Sequence, residues 1–264
     1  MGILSGESRA EFWRYRELFF FLVWRDVKIR YKQTALGATW AIIQPFMTMI
    51  IFTLFFGRLA NMPSDGIPYP IFAYSALLPW TYFSVSLALS GNSLVLNAPL
   101  IQRVYFPRVA IPASSALSGL VDFFIAFVVL IGMMFYYDIP LSLGMLLWPL
   151  LLVPLVFLVL GVGMILSSLK VKFRDIKYAI PFFIQSWLFI TPIIYPTSIV
   201  PERFRFLLQL NPLTGLIDAF RASMLPTRTV DWNSVMISVA ITAAIFIFAV
   251  FYFRKTEREF ADII

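Results

Sequence analysis

Long uncharged apolar runs alternate with short basic segments along this chain, and the alternation predicts a bundle of membrane-crossing helices. After Lys32 no acidic or basic residue occurs until Arg58. That gap exceeds the about 20 residues a helix needs to cross a hydrocarbon core at 1.5 Å rise per residue. The same pattern repeats, giving six predicted spans: Thr34–Phe56, Ile71–Leu96, Ile111–Tyr136, Leu143–Leu169, Tyr178–Tyr195 and Ser234–Phe253. The predicted fold class is therefore all-α, a polytopic membrane protein with six transmembrane helices. An earlier apolar run, Leu18–Trp24, is too short to cross. Flanked by Glu11, Arg14, Arg16 and Glu17 before it and by Arg25, Lys28, Arg30 and Lys32 after it, it predicts an interfacial amphipathic helix.

Several spans carry polar stripes at helical spacing. The first has Thr34, Gly37, Ala41, Gln44, Thr48 and Phe55; the second has Ser75, Tyr82, Ser86, Ser90, Ser93 and Asn97. Small hydroxyl residues in lipid favour helix–helix contacts, which is the expectation for the Ser-rich second span. The fifth span lines up Tyr178, Phe182, Gln185 and Phe189, and an aromatic face with an amide fits a pore wall as well as it fits packing. Asp122 is the one charge inside a predicted span; with Ser118 one turn back, a structural polar contact or a protonated acid is favoured over ion coupling.

The segments between spans also hold helix signals. In NAPLIQRVYFPR (97–108), Asn97 can cap, Pro99 suits a first turn and Pro107 stops a short helix that needs a docking partner. At 198–225, two short helices follow one another. In the second, Asn211 caps and Pro212 opens, with Leu213, Leu216, Ile217, Phe220 and Met224 on one face and Asp218 and Arg221 opposite. Buried against protein, the pair could form a re-entrant hairpin. The domain reading is a tail and interfacial helix over 1–33, a six-span domain over 34–253, and a tail over 254–264.

Composition agrees. The 264 residues are 60% hydrophobic and 13% charged, about half the charge of a soluble domain, with mean hydropathy +0.84. The net charge of +7 comes from basic residues flanking apolar runs, a pattern of membrane anchors and not of nucleic-acid binding. Lys and Arg number seven in residues 1–34, two in 97–110, four in 170–177 and three after 253, sixteen against five on the other side. The positive-inside rule thus puts both termini in the cytoplasm of a multi-pass inner (plasma) membrane protein. There is no Cys and no His, which removes thiolate and imidazole chemistry and leaves no metal site or catalytic residue to nominate.

The segments YREL (15–18), RDVKIRYKQTALGATWAIIQP (25–45), LIQRVYFPR (100–108), KFRDIKYAIPFFIQSWLFITPIIYP (172–196) and NPLTGLIDAFR (211–221), in this order, resemble the membrane subunit of type-two ATP-binding-cassette exporters. The likeness is to the branch exporting O-antigen, capsule and teichoic acid. It implies a homodimer with two copies of a separate ATPase subunit that binds ATP and Mg, with no cofactor in this chain. It also implies a coupling helix at about 97–107, outer gate helices at about 198–225 and an interfacial gate helix at the N-terminus. On that reading Asn97, Gln102, Arg103, Tyr105 and Arg108 meet the ATPase. Trp40, Gln44, Tyr82, Tyr178, Phe182, Gln185 and Phe189 line a channel for a lipid-linked polysaccharide, and Arg25, Lys28, Arg30 and Lys32 meet lipids or a lipid diphosphate. The absence of any G-x-x-x-x-G-K-[ST] loop agrees with a separate ATPase. A polytopic enzyme would want acid clusters, and an ion-coupled carrier several membrane carboxylates.

Overall fold

The computed structural model describes residues 15–32, 37–224, 229–257 and 260. Thr34, where the first span was expected to begin, lies outside these, as do residues 1–14, residue 225 and most of the C-terminal tail beyond Glu257. The helices are α1 (Arg16–Tyr31), α2 (Trp40–Phe52), α3 (Tyr69–Leu96), α4 (Ala98–Arg103), α5 (Ala110–Tyr136), α6 (Trp148–Lys172), α7 (Ile176–Ile190), α8 (Glu202–Gln209), α9 (Pro212–Met224) and α10 (Trp232–Glu257). Among the described residues, five stretches are long and apolar enough to cross a membrane: Gly37–Leu59, Tyr69–Leu96, Ala110–Tyr136, Leu143–Lys172 and Trp232–Glu257. The first is α2 with a 3-10 turn before it and a π-helical turn, Thr53–Leu59, after it. The apolar α7 is shorter, at 15 residues.

Helix α3 is the axis. It packs against α5 on one side and α6 on the other, α6 carries α10, and α9 wedges between α10 and α3. The serine stripe explains the close approach. Ser75, Ser86, Ser90 and Ser93 are all buried, and a Cβ at Gly119 of α5 would collide with the Ser86 hydroxyl, one at Gly163 of α6 with Ser90. Small side chains opposite glycines let the backbones meet, as membrane packing favours. The Ser90 hydroxyl also donates to Pro112 O at 3.1 Å. The packing expectation for this stripe holds.

Helix α1 lies along α5. Leu18, Phe19 and Leu22 face inward, onto a cluster with Leu94, Ile101, Phe106, Ile111 and Phe253. Phe20, Phe21 and Trp24 point outward and are exposed. The single apolar stripe expected of an amphipathic helix is thus two stripes, one packed on protein and one open. The helix also runs through the basic cluster and stops only at Tyr31.

At the end of the bundle far from that cluster, Asn211 caps α9 as expected: its side chain accepts from Leu213 N at 3.0 Å. Leu213, Leu216, Ile217, Phe220 and Met224 are buried. Arg221 is not on an opposite, open face. It is fully buried, its guanidinium 3.8 Å from the Phe72 ring centroid, donating to Pro192 O and Ile193 O at 3.2 Å each and to Asp218 at 3.3 Å. Helix α9 is buried along its length except at Asp218, so the Arg221 guanidinium finds its partners inside. Helix α8 remains exposed over most of its length.

Candidate functional site

The face of α7 that the sequence singles out is open. Tyr178 is 70% exposed, Phe182 73% and Phe189 58%, and Gln185 is exposed between them. The opposite face holds α7 in place. Ile180 is buried against the Gly91 turn of α3, and Ile184, Trp187 and Leu188 join the core, with Trp187 edge-on to Phe83 at 4.9 Å. Spacing of three and four residues keeps the two faces apart. Trp187 Nε1 donates to Asn211 Oδ1 at 2.8 Å, so the cap of α9 also fixes the end of α7. Three aromatic faces and one amide therefore stand open on one side of the helix, with Lys177 Nζ over the Tyr178 ring, 4.6 Å from its centroid.

Trp40, Gln44 and Tyr82 sit elsewhere. They border a cavity of about 310 Å³ between α1, α2, α3 and α5, together with Arg30, Tyr31 and Asp122. Trp40 and Gln44 are exposed. Tyr82 is only 2% exposed, its hydroxyl donating to Ala116 O at 3.3 Å, and belongs to the α3–α5 packing and not to an open wall. The channel candidates thus divide into an open α7 face, an exposed pair at the start of α2, and one buried tyrosine.

Asp122 is not alone. Arg30 and Tyr31, both from the end of α1, donate to its two carboxylate oxygens, and Arg30 also reaches Ser118 at 3.3 Å. One turn earlier, Asp26 accepts from Ser114 and Ser115 of α5 at 3.1 Å each and pairs with Arg25 at 2.8 Å. Burial, and then the Asp122 carboxylate, raise the Tyr31 phenol above its ordinary pKa. The signal for this network was in the sequence, a lone carboxylate and a basic run, but they are 92 residues apart and only the fold brings α1 beside α5. Of the four basic residues nominated for a diphosphate, Arg25 and Arg30 already hold carboxylates. Lys28 and Lys32 are exposed.

The segment after α3 forms a helix of six residues, shorter than expected. Its cap is not the Asn97 side chain, which instead donates back to Ser93 O at 2.8 Å. Ile101 and Phe106 anchor the segment in the core, and Gln102, Arg103 and Tyr105 project outward. Arg108 does not: its backbone N–H donates to the Glu257 carboxylate at 3.1 Å and its guanidinium to Glu257 O, tying this segment to the end of α10. Sequence reasoning could not pair residues 149 apart.

The described residues thus form a set of membrane-crossing helices with an open aromatic face on α7 and an anchored surface helix at the basic end. The chain belongs to the ABC-2 type transporter family, whose model matches residues 17–225. It is 28% identical over 262 residues to the O-antigen export system permease protein RfbA of Myxococcus xanthus, covering 96% of this chain and 97% of that one. It is 28% identical over 242 residues to the RfbA of Klebsiella pneumoniae (91% and 92%). Against the polysialic acid transport protein KpsM of Escherichia coli it is 25% identical over 209 residues (76% and 79%).

Proposed function

We propose that this chain is the transmembrane subunit of an ATP-driven exporter that moves a lipid-linked polysaccharide of the O-antigen type outward across the inner membrane. The observation that carries the reading is the open α7 face of Tyr178, Phe182, Gln185 and Phe189. A polar polymer with apolar ring faces can slide over aromatic planes without deep binding, while an amide exchanges hydrogen bonds with its hydroxyls. In a homodimer two such faces would flank one channel, with Trp40 and Gln44 nearer the basic end. The relatives that cover nearly the whole chain are O-antigen permeases. The polysialic acid transport relative covers less of it; capsular polysaccharide or teichoic acid is the second substrate reading.

In this scheme both termini are cytoplasmic, and Gln102, Arg103 and Tyr105 project toward a separate ATPase, two copies per dimer, which binds ATP and Mg. Asn97 and Arg108 position that surface. Lys28 and Lys32, exposed and in no ion pair among the described residues, are the cations for lipid head groups or a lipid diphosphate. The test is purification of the tagged chain with the ATPase encoded beside it, followed by ATP-dependent export of polymer in proteoliposomes. The proposal expects a complex of two and two whose ATPase activity rises with lipid-linked polymer; a chain that purifies without an ATPase overturns it.

A further inference from the structure

A groove of about 640 Å³ opens sideways at the end of the bundle opposite the basic cluster, between α2 with its π-helical turn and α5. This is within the size range of small-molecule sites, about 300–1,000 Å³. Its walls are Phe46, Met49, Ile50 and Leu54 on one side and Val129 and Met133 on the other. The one wall hydroxyl, Thr53, is spent on Met49 O at 2.8 Å. The floor is Gly132, where an added Cβ would meet nothing within 4 Å. At the mouth stand Arg58, Tyr136 and Tyr137. Arg58 is exposed, and among the described residues it takes part in no ion pair.

We propose that this groove is a binding site for an anionic phospholipid of the leaflet opposite the basic cluster, with an acyl chain along Gly132 and the head-group phosphate on Arg58. The groove lies along two membrane-crossing stretches, so what fills it is lipid and not water. An arginine at the end of a span sits at head-group level and holds phosphate bidentately, and tyrosines belong at that level too. The wide π-helical turn, a form common at functional positions, carries Leu54 and Arg58 together at the groove. The proposal is independent of which polymer the chain exports.

The test uses the full chain in nanodiscs containing diazirine-bearing phosphatidylglycerol or the matching phosphatidylcholine, with crosslinks mapped by mass spectrometry. Wild type should crosslink on Phe46, Ile50 or Val129, with phosphatidylglycerol about fivefold above phosphatidylcholine, the factor one cation confers at an anionic surface. Arg58→Gln should make the two probes equal, and Arg58→Lys should keep most of the preference. Gly132→Phe fills the floor and should abolish labelling with both; should that variant fail to fold, Leu54→Trp, on an exposed position of the wall, blocks the same space. Equal labelling by the two probes in wild type, labelling that survives the filled groove, or chain-to-chain crosslinks there in place of lipid would each overturn the proposal.

Discussion

The contact between Arg30 and Asp122 offers the sharpest energetic test of how α1 is held. Each side chain of the pair retains 20% exposure. At an effective dielectric constant of about 20, two unit charges about 4 Å apart attract by about 4 kcal/mol, and removing both from water costs several kcal/mol per ion. The net worth of the pair is therefore small, while an orphaned partner is expensive. Removing one member of a buried pair costs about 3–5 kcal/mol, and the residual exposure lowers that here to about 2–3 kcal/mol. Asp122→Leu strands Arg30 and also removes the acceptor of Tyr31. Arg30→Met strands Asp122, although Tyr31 still donates to it. The double variant Arg30→Met with Asp122→Leu removes both charges and should recover about 1–3 kcal/mol relative to the sum of the singles. Urea unfolding of the chain in detergent micelles, followed by tryptophan fluorescence, measures all four corners of the cycle. Additivity to within about 0.5 kcal/mol would refute the reasoning, because it would mean the two groups do not interact.

Three further outcomes follow from the geometry. In this cysteine-free chain, Cys at 182 and 189 should react with a small aqueous thiol reagent in the assembled transporter and Cys at the buried 180 should not; equal reaction at all three returns the α7 stripe to packing. Arg103→Glu with Tyr105→Ala should leave membrane insertion and unfolding unchanged, since both side chains project from the anchored segment, yet abolish export and release the ATPase on purification; normal export would remove the docking role. Gly163→Ala should destabilise by about 1–3 kcal/mol, because its methyl would lie 2.7 Å from Ser90 Cβ where α3 and α6 meet; an unchanged urea midpoint in micelles would show that the helices can part at no cost.

What the chain discloses by itself is whatever depends on local period. Long charge-free runs gave the crossing helices, the serine spacing gave the packed face of α3, and the 178–189 spacing gave the open face of α7. The Asn-Pro at 211–212 gave the start of α9. What stayed hidden depends on pairs distant in sequence. Asp122 looks isolated when only its own span is read, and Arg25 and Arg30 look like free head-group cations. Their partnership needs α1 folded back along α5, which no local signal encodes. Arg108 and Glu257 are the same case at the other end of α10. Tyr82 is a different case. It shares the serine stripe that packs α3 on α5, so its position on that stripe already favoured a buried hydroxyl over a channel wall.

The far end of α7 follows a single logic from sequence to backbone. An uncharged run to Tyr195 predicted 18 residues of helix, but α7 stops at Ile190 and is 15 residues long, about 22 Å at 1.5 Å per residue and short of a hydrocarbon core of about 30 Å. The chain completes the distance as turns over 191–196. Irregular backbone at such a depth is tolerated only where protein satisfies its carbonyls. Arg221 does so, donating to Pro192 O and Ile193 O from a position enclosed by Phe72, and Tyr69 adds its hydroxyl to Ile194 O at 2.7 Å. The charge that α9 carries into the core is thus the condition for ending α7 early. A lysine there would keep the charge but lack the fork that reaches two adjacent carbonyls. Because α7 ends early, its aromatic face ends at Phe189, and the backbone that follows is held in place by Arg221.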